Sequence, residues 1–165
     1  GLEATSYFQP SQAAYSNGCH IAEVEVDPET GLVSILRYIV AHDCGNLINP
    51  MIVDGQVQGG VAHGVGNALL EHLYYDADAN PVTTTFAEYL LPTAESVPDV
   101  EILHLETPTP NNPLGVKGAG EGGTLPAAAV IAAAIEDALR PFGVRFRDAP
   151  ILPHQIIEKI AVANQ

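Results

Sequence analysis

A glycine-rich stretch at residues 115–124 constrains the fold of this chain more than any other feature. It places five glycines around one lysine, Lys117, and one glutamate, Glu121. An alanine-rich run at residues 125–139 follows directly and predicts a helix that is apolar on most faces and therefore buried. Because glycines let a ligand approach the backbone closely, and helix N-termini favour anions, this pattern predicts an anion-binding loop. Glu121 is then either a loop residue without a catalytic role or a base that faces the bound group.

Composition and charge limit the classes of protein that this chain can represent. With 165 residues, 47% of them hydrophobic and 16% charged, residues 1–165 are expected to form a single globular domain. The net charge of −14, with only six lysines and arginines, argues against a nucleic-acid partner. Two cysteines are too few for a disulfide scaffold, and no apolar run is long enough to span a membrane. We therefore expect reduced thiols and a cytoplasmic protein, with the periplasm as the alternative.

The hydrophobic pattern predicts an α+β fold, in which a mixed sheet with β-hairpins packs against a glycine-bearing helix and the buried alanine-rich helix. The turn residues Asp27-Pro-Glu-Thr-Gly31 separate two strand patterns and predict the first hairpin. Asn49-Pro50 predicts the start of a helix, and Thr124 is the predicted N-cap of the alanine-rich helix. The other predicted elements are a helix over 51–72, strands at 82–91, 98–107 and 144–146, and a final helix from 153.

The predicted helix over residues 51–72 contains an unusual number of glycines. Each interior glycine costs a helix about 1 kcal/mol relative to alanine, so propensity does not explain them. Gly55 with Gly59, and Gly60 with Gly64, have the i, i+4 spacing that leaves a strip without side chains on one helix face. Such strips indicate either close packing against another element or a surface for a flat ligand. In the second case Gln56 and Gln58 would supply the polar contacts.

Three other site types fit the sequence less well. The histidines and cysteines lack the paired spacing of a structural zinc site, so no metal ligated by protein side chains is expected. Gly118-x-Gly120-x-x-Gly123 matches a dinucleotide fingerprint formally, but a proline-rich connector precedes it instead of a strand. No serine lies in a hydrolase elbow motif. A nucleotide-binding dehydrogenase domain thus stays open only as a minor alternative.

Several motifs together resemble a known family. They are Asp43-Cys-Gly-Asn-Leu-Ile-Asn-Pro50, Val53-Asp-Gly-Gln-Val-Gln-Gly-Gly60, His63-Gly-Val-Gly66 and Leu114-Gly-Val-Lys-Gly-Ala-Gly-Glu121. In this order they resemble the C-terminal part of the molybdopterin-binding large subunit of the xanthine dehydrogenase, aldehyde oxidase and carbon monoxide dehydrogenase family. Nearly the whole chain takes part in the resemblance.

The resemblance implies the chemistry and the roles of particular residues. The family hydroxylates carbon with water-derived oxygen on a molybdopterin cofactor, which bacteria often hold as the cytosine dinucleotide. Glu121 is then the general base, Gln56 hydrogen-bonds the cofactor near molybdenum, and the cofactor loop comprises Val116, Lys117, Gly118, Ala119 and Gly120. Iron–sulfur and flavin centres are expected only on partner subunits or domains, and no metal ligand on this chain.

The resemblance also implies that this chain does not hold a whole active site. The family's large subunit is much longer, and its substrate-pocket positions lie upstream of the matched region. The chain is therefore expected to need the remaining N-terminal part of the molybdenum subunit. Aldehyde, purine, N-heterocycle and carbon monoxide all stay open as substrates, and a non-catalytic binding or assembly module is the competing interpretation.

Overall fold

The computed structural model describes residues 1–163, in which three strands form a mixed sheet. Strands β1 (Asn17–Val26) and β2 (Val33–Asp43) are antiparallel, and β3 (Val100–His104) lies parallel to β2 at the edge of the sheet. The turn between β1 and β2 closes because the Asp27 amide donates to the Leu32 carbonyl at 2.9 Å. The predicted hairpin and the mixed character of the sheet are both confirmed.

Three α-helices accompany the sheet. Helix α1 (Pro50–Leu69) carries the glycines, α2 (Ala127–Ala138) is the alanine-rich helix, and α3 (Pro153–Ala163) closes the described chain. Asn49 caps α1, since its side chain accepts a hydrogen bond from the Ile52 amide at 3.3 Å. The predicted start of α1 is therefore correct, and the helix ends three residues before the predicted position.

The core lies between one face of the sheet and the helices. Helix α2 packs on β1 and on α1, while α1 also contacts β3. Alternation along β2 turns Tyr38, Val40 and His42 toward the helices, and all three side chains are buried. The predicted α+β class, with a sheet against the glycine-bearing and alanine-rich helices, is confirmed. The remaining fully buried large side chains come from the three helices and the segments that follow α2: Val57, Val61, Val65, Ile131, Ile135, Leu139, Ile151 and Ile156.

Three local predictions are wrong. Residues 82–91 form no strand, because the Glu88 carboxylate accepts hydrogen bonds from the Thr84 and Thr85 amides and winds this segment into a turn. The sequence also predicts that the strand at 82–91 returns from a turn at 78–81 to form a hairpin with residues 73–76, but a single bridge between Tyr75 and Pro81 is all that residues 73–91 form of it. Residues 144–146 also form no strand, since the Phe146 amide donates to the Glu136 carboxylate at 2.8 Å.

The start of α2 also differs from the prediction. Thr124 does not cap the helix; its amide donates to the Glu121 carbonyl at 3.0 Å as part of a turn, and α2 begins only at Ala127. The turn therefore belongs to the glycine-rich loop and separates Glu121 from the first turn of α2.

Residues 1–16 form no helix or strand, and most of their side chains are exposed. Part of this segment lies against the glycine-rich loop. Within residues 1–163, no helix combines the length and the apolar character needed to cross a membrane.

Candidate functional site

The first residues of the glycine-rich loop are fixed by two asparagines. The Asn112 side chain donates to the Val116 carbonyl at 2.8 Å and accepts from the Val116 amide at 3.2 Å. Asn46 donates to the Leu114 carbonyl at 2.7 Å. Gly115 lies between these anchors with φ +68°, a conformation that strongly favours glycine. These contacts give the loop a defined conformation where it leaves the proline-rich connector.

Lys117 is an internal anchor of the loop. Its Nζ lies 3.2 Å from Oδ1 of Asp43, and both side chains are about nine-tenths buried. The Lys117 amide also donates to the Cys44 carbonyl at 2.7 Å. Burial alone raises the pKa of Asp43, but hydrogen bonds from Thr107, Gly45 and Lys117 outweigh it and hold that pKa well below its usual range. The lysine charge is therefore committed to a buried carboxylate at the end of β2.

The backbone donors of the loop divide into two groups. The amides of Val116, Lys117 and Gly118 all donate within the chain, the last to the Ala14 carbonyl at 3.0 Å. In the described chain, the five amides from Ala119 to Gly123 donate to no other residue. Among the predicted cofactor-binding residues, Ala119 and Gly120 thus have amides that are open to a ligand. Val116, Lys117 and Gly118 instead shape the loop.

Helix α1 and the loop meet at Gln56. Its Nε2 donates to the Gly120 carbonyl at 3.4 Å, so two predicted cofactor residues that are far apart in sequence lie in contact. Glu121 follows directly, and its side chain is exposed. Its own carbonyl accepts hydrogen bonds from the Thr124 and Leu125 amides at 3.0 and 3.3 Å. The fold therefore fixes the Glu121 backbone while leaving its carboxylate accessible.

The two glycine pairs of α1 have different surroundings. A Cβ on Gly60 would lie 2.7–2.8 Å from backbone atoms of Gly123 and Thr124, and one on Gly64 would overlap the methyl group of Ala127. We call Gly60 and Gly64 the packed glycine pair. A Cβ on Gly55 or Gly59 would meet nothing within 4 Å, and we call these two the open glycine pair. Close packing thus explains one pair and leaves the other without a contact in the described chain.

A backbone-lined surface runs along the loop. A Cβ on Gly118 would meet only the Ala14 carbonyl oxygen at 3.8 Å, and one on Gly120 only Nε2 of Gln56 at 3.7 Å. A cleft of about 580 Å³ opens beside it, between residues 8–14 and 111–118. Residues 1–163 contain no cluster of three side chains suited to a metal ion. The arrangement offers backbone donors, an amide and a carboxylate to an anionic, flat ligand.

Several residues that shape the site were missed at the sequence level. Asp43, Asn46 and Asn112 hold the loop. The first two lie in the motif at residues 43–50, but the motif does not show which groups they contact. His42 is buried and His104 is partly buried near the loop, with ring centroids 6.4 Å apart. A single histidine in a strand pattern gives no sign of such a role, because its neighbours come from distant parts of the chain.

Comparison with known proteins identifies the ligand class. Residues 1–98 match the family model of the molybdopterin cofactor-binding domain. The chain belongs to this family of molybdenum hydroxylase subunits. Over 95% of its length it is 43% identical to the nicotine 6-hydroxylase large subunit of Paenarthrobacter nicotinovorans. The matched region is 19% of that relative, so the chain spans about a fifth of the length of the relative.

Solved structures show the same fold. A chain of quinoline 2-oxidoreductase from Pseudomonas putida 86 is similar over 88% of this chain and 19% of its own, with a TM-score of 0.87 and 44% identity. A chain of carbon monoxide dehydrogenase from Oligotropha carboxidovorans is similar over 99% of this chain and 20% of its own, with a TM-score of 0.94 and 30% identity. The resemblance inferred from the motifs is therefore confirmed, and so is the class of cofactor.

The residues present fit a molybdopterin group. Its phosphates are anionic, and the backbone amides of half-buried Ala119 and exposed Gly120 donate to no residue of the described chain. A flat pterin can approach the backbone where Gly118 and Gly120 have no side chain and no close neighbour. The amide of Gln56 lies at the same edge of the loop. These features suit recognition of the cofactor through the backbone.

Proposed function

We propose that this chain forms one wall of the molybdopterin site of a hydroxylase and supplies its general base, Glu121. The observation that carries the proposal is the meeting of α1 and the loop at Gln56 and Gly120, directly before Glu121. The exposed Glu121 thus directly follows Ala119 and Gly120, whose backbone amides donate to no residue of the described chain. The reaction is the oxidation of an aldehyde, a purine or an N-heterocycle with water-derived oxygen.

Each part of the site has a separate task in this proposal. When bound, the molybdenum cofactor supplies the redox chemistry. The amides of Ala119 and Gly120 bind its anionic portion, and Gln56 orients it. Val116, Lys117 and Gly118 contribute by holding the loop in shape through their internal contacts. Glu121 accepts the proton that is released when the water-derived oxygen attacks the substrate carbon, which is general-base catalysis.

Among the substrates left open by the sequence, we favour an N-heterocycle of the pyridine or quinoline type over a purine. The relative and the structure with the higher identities, 43% and 44%, are named for nicotine and quinoline, whereas the carbon monoxide enzyme is 30% identical. The chain contains none of the substrate-pocket positions that decide this choice, so the proposal rests on similarity. Incubating the assembled enzyme with nicotine, quinoline, xanthine and an aldehyde tests it, and faster turnover of the xanthine or the aldehyde would contradict it.

The proposal includes partners that complete the enzyme. They are the remaining N-terminal part of the molybdenum subunit and the iron–sulfur and flavin subunits that carry electrons away. The proposed cofactor form is the cytosine dinucleotide and the proposed location is the cytoplasm. Because the chain offers only one wall, we expect it to bind cofactor poorly and to be inactive alone. Measuring hydroxylase activity of the purified chain checks this, and robust turnover would refute it.

The decisive experiment changes the carboxylate of Glu121 to an amide. In the assembled enzyme, Glu121→Gln keeps the size of the side chain but removes the base, so turnover should fall about 10²–10⁴-fold, the usual contribution of general-base catalysis. Molybdenum content, measured by elemental analysis, should stay at the wild-type level because the backbone donors are unchanged. Glu158→Gln, an exposed site on α3, is the matched control and should leave turnover unchanged.

The same experiment separates the proposal from a non-catalytic binding or assembly module. Such a module would leave the assembly without molybdenum under conditions in which a known relative is loaded. The assembly would then show no turnover with either glutamate or glutamine at position 121. Turnover that survives the change, with molybdenum bound, would disprove the assignment of the base while leaving the cofactor wall intact.

A further inference from the structure

His42 is a buried polar side chain that the proposed mechanism does not use. It lies near the end of β2 and is 1% exposed, and neither of its ring nitrogens has a hydrogen-bond partner among residues 1–163. Burial and the nearby His104 lower the pKa of His42, while Asp43 raises it less. The imidazole is therefore neutral at pH 7. A buried polar ring without a partner is costly, which points to a specific role for this position.

The ring of His42 lies directly beneath the glycine-rich loop. A Cβ on Gly122 would overlap Nε2 of His42 and would lie 2.9 Å from its Cδ2. Gly122 is the residue that follows Glu121. A cavity of about 320 Å³ borders the same place and is lined by both residues, together with His20 and Pro126. The imidazole edge therefore limits how closely the peptide after Glu121 can approach the sheet.

Neighbouring groups keep the His42 ring in place. His104 on β3 packs against it in a T-shaped arrangement and is itself bound through Nε2 to Asp54 of α1 at 2.6 Å. On β1, Nδ1 of His20 is 2.9 Å from the Tyr38 hydroxyl. Both histidines come from strands adjacent to β2. The support beneath Gly122 is thus part of a packed layer and cannot shift without moving its neighbours.

We propose that His42 is a positioning residue that sets the placement of Glu121 by supporting Gly122 from below. This inference rests on the proposed role of Glu121 as the base. His42 contacts the loop and not the reacting group, so its effect reaches the carboxylate only through one peptide. Displacements of about 1 Å at a catalytic group can cost about 10²-fold in rate, so a loose support is enough to matter.

The test uses the assembled enzyme and the variant His42→Ala. Hydrogen–deuterium exchange follows the amides of Thr124 and Leu125, which donate to the Glu121 carbonyl. Losing the support should speed their exchange about tenfold, because the loop opens more often. Turnover number should fall about 10- to 100-fold with little change in KM and in molybdenum content. If the Thr124 and Leu125 amides of His42→Ala exchange at the same rate as in the wild type, the inference is overturned.

Val40→Ala is the matched control. Val40 lies two residues earlier on the same face of β2 and is fully buried in the hydrophobic core. A general weakening of the core should affect the exchange of both variants in the same way, whereas loss of the support should affect only His42→Ala. Equal loop exchange in the two variants would therefore refute the proposal.

A second variant changes Gly122, the other residue of the contact with His42. In Gly122→Ala the added methyl overlaps Nε2 of His42, so the loop must lift and its amides should exchange faster. Combining it with His42→Ala makes room for the methyl, and the double variant should lose less turnover than the two single losses multiplied together. A loss of turnover in the double variant equal to the product of the two single losses would contradict a direct contact between Gly122 and His42. If Glu121→Gln keeps full turnover while His42→Ala still loosens the loop, the role of the base fails but the support stands.

Discussion

The packed and open glycine pairs of α1 share one helix, one residue type and one spacing, yet only one pair has a structural explanation. Gly60 and Gly64 are buried where the glycine-rich loop and α2 press onto the helix. Gly55 and Gly59 are exposed, and a methyl group added at either position would meet nothing within 4 Å. The glycine spacing therefore indicates helix faces without side chains, but only the tertiary fold shows which of these faces another element packs against.

The largest expected effect comes from Gly60→Ala. The new methyl would lie 2.7–2.8 Å from backbone atoms of Gly123 and Thr124, which cannot rotate away. Overpacking of this kind costs about 1–3 kcal/mol, and it outweighs the gain in helix propensity of about 1 kcal/mol. Denaturant unfolding of the subunit should show the loss of stability. Since the clash involves the loop itself, molybdenum content should fall as well.

Gly64→Ala is the control for this effect on the packed pair. There the clash is with a side chain, the methyl of Ala127. Adding Ala127→Gly removes that methyl, so the double variant should recover most of the lost stability. An equally destabilised double variant would mean that the packed pair is not defined by direct contact.

The open pair should respond with the opposite sign. Gly55→Ala and Gly59→Ala should each raise the free energy of unfolding by about 0.5–1 kcal/mol, since a helix interior favours alanine and no neighbour obstructs the methyl. Thermal unfolding checks the sign. If stability rises while molybdenum content falls, the flat-ligand interpretation of this face holds. If the two variants destabilise the chain as much as Gly60→Ala, the distinction between the pairs is wrong.

The smallest expected effect is the pH dependence of stability that arises from the buried histidines His20 and His42. Burial lowers the pKa of His20 and His42 below the ordinary 6.5, although the Gly122 backbone raises the former and Asp43 the latter. The unfolded chain therefore binds protons first, and stability should fall as the pH drops below about 6.5. Unfolding at a series of pH values measures this. The double variant His20→Asn, His42→Asn should flatten the dependence, and an unchanged slope would place its origin elsewhere.

Patterns that are local in sequence predicted much of this fold. The turn at residues 27–31 and the Asn49-Pro50 cap were correct because each depends on a few neighbouring residues. The prediction of a strand at 82–91 was wrong because the Thr84 amide donates to the Glu88 carboxylate, four residues away, and not to a neighbouring strand. Intrinsic β-propensity does not include such side-chain competition.

Sequence motifs were enough to name residues of the candidate site, but not to predict the contacts among them. The glycines, Gln56 and Glu121 could be named from their motifs. The ion pair between Lys117 and Asp43 could not, because α1 and β3 lie between the two residues in sequence and only the folded structure brings them together. The same holds for the support of Gly122 by His42. Contacts between distant segments decide which of the predicted cofactor residues have their amides and side chains tied into the fold.

The hydrogen bond from Gly118 to Ala14 has a consequence for the order of folding. It joins the irregular N-terminal segment to the loop, with the hairpin, α1 and β3 all lying between them in sequence. Closing so long a stretch of chain is entropically costly until the intervening elements have packed. The loop should therefore acquire its final conformation among the last steps of folding. Pulse-labelled refolding should show protection at Gly118 after protection in the hairpin.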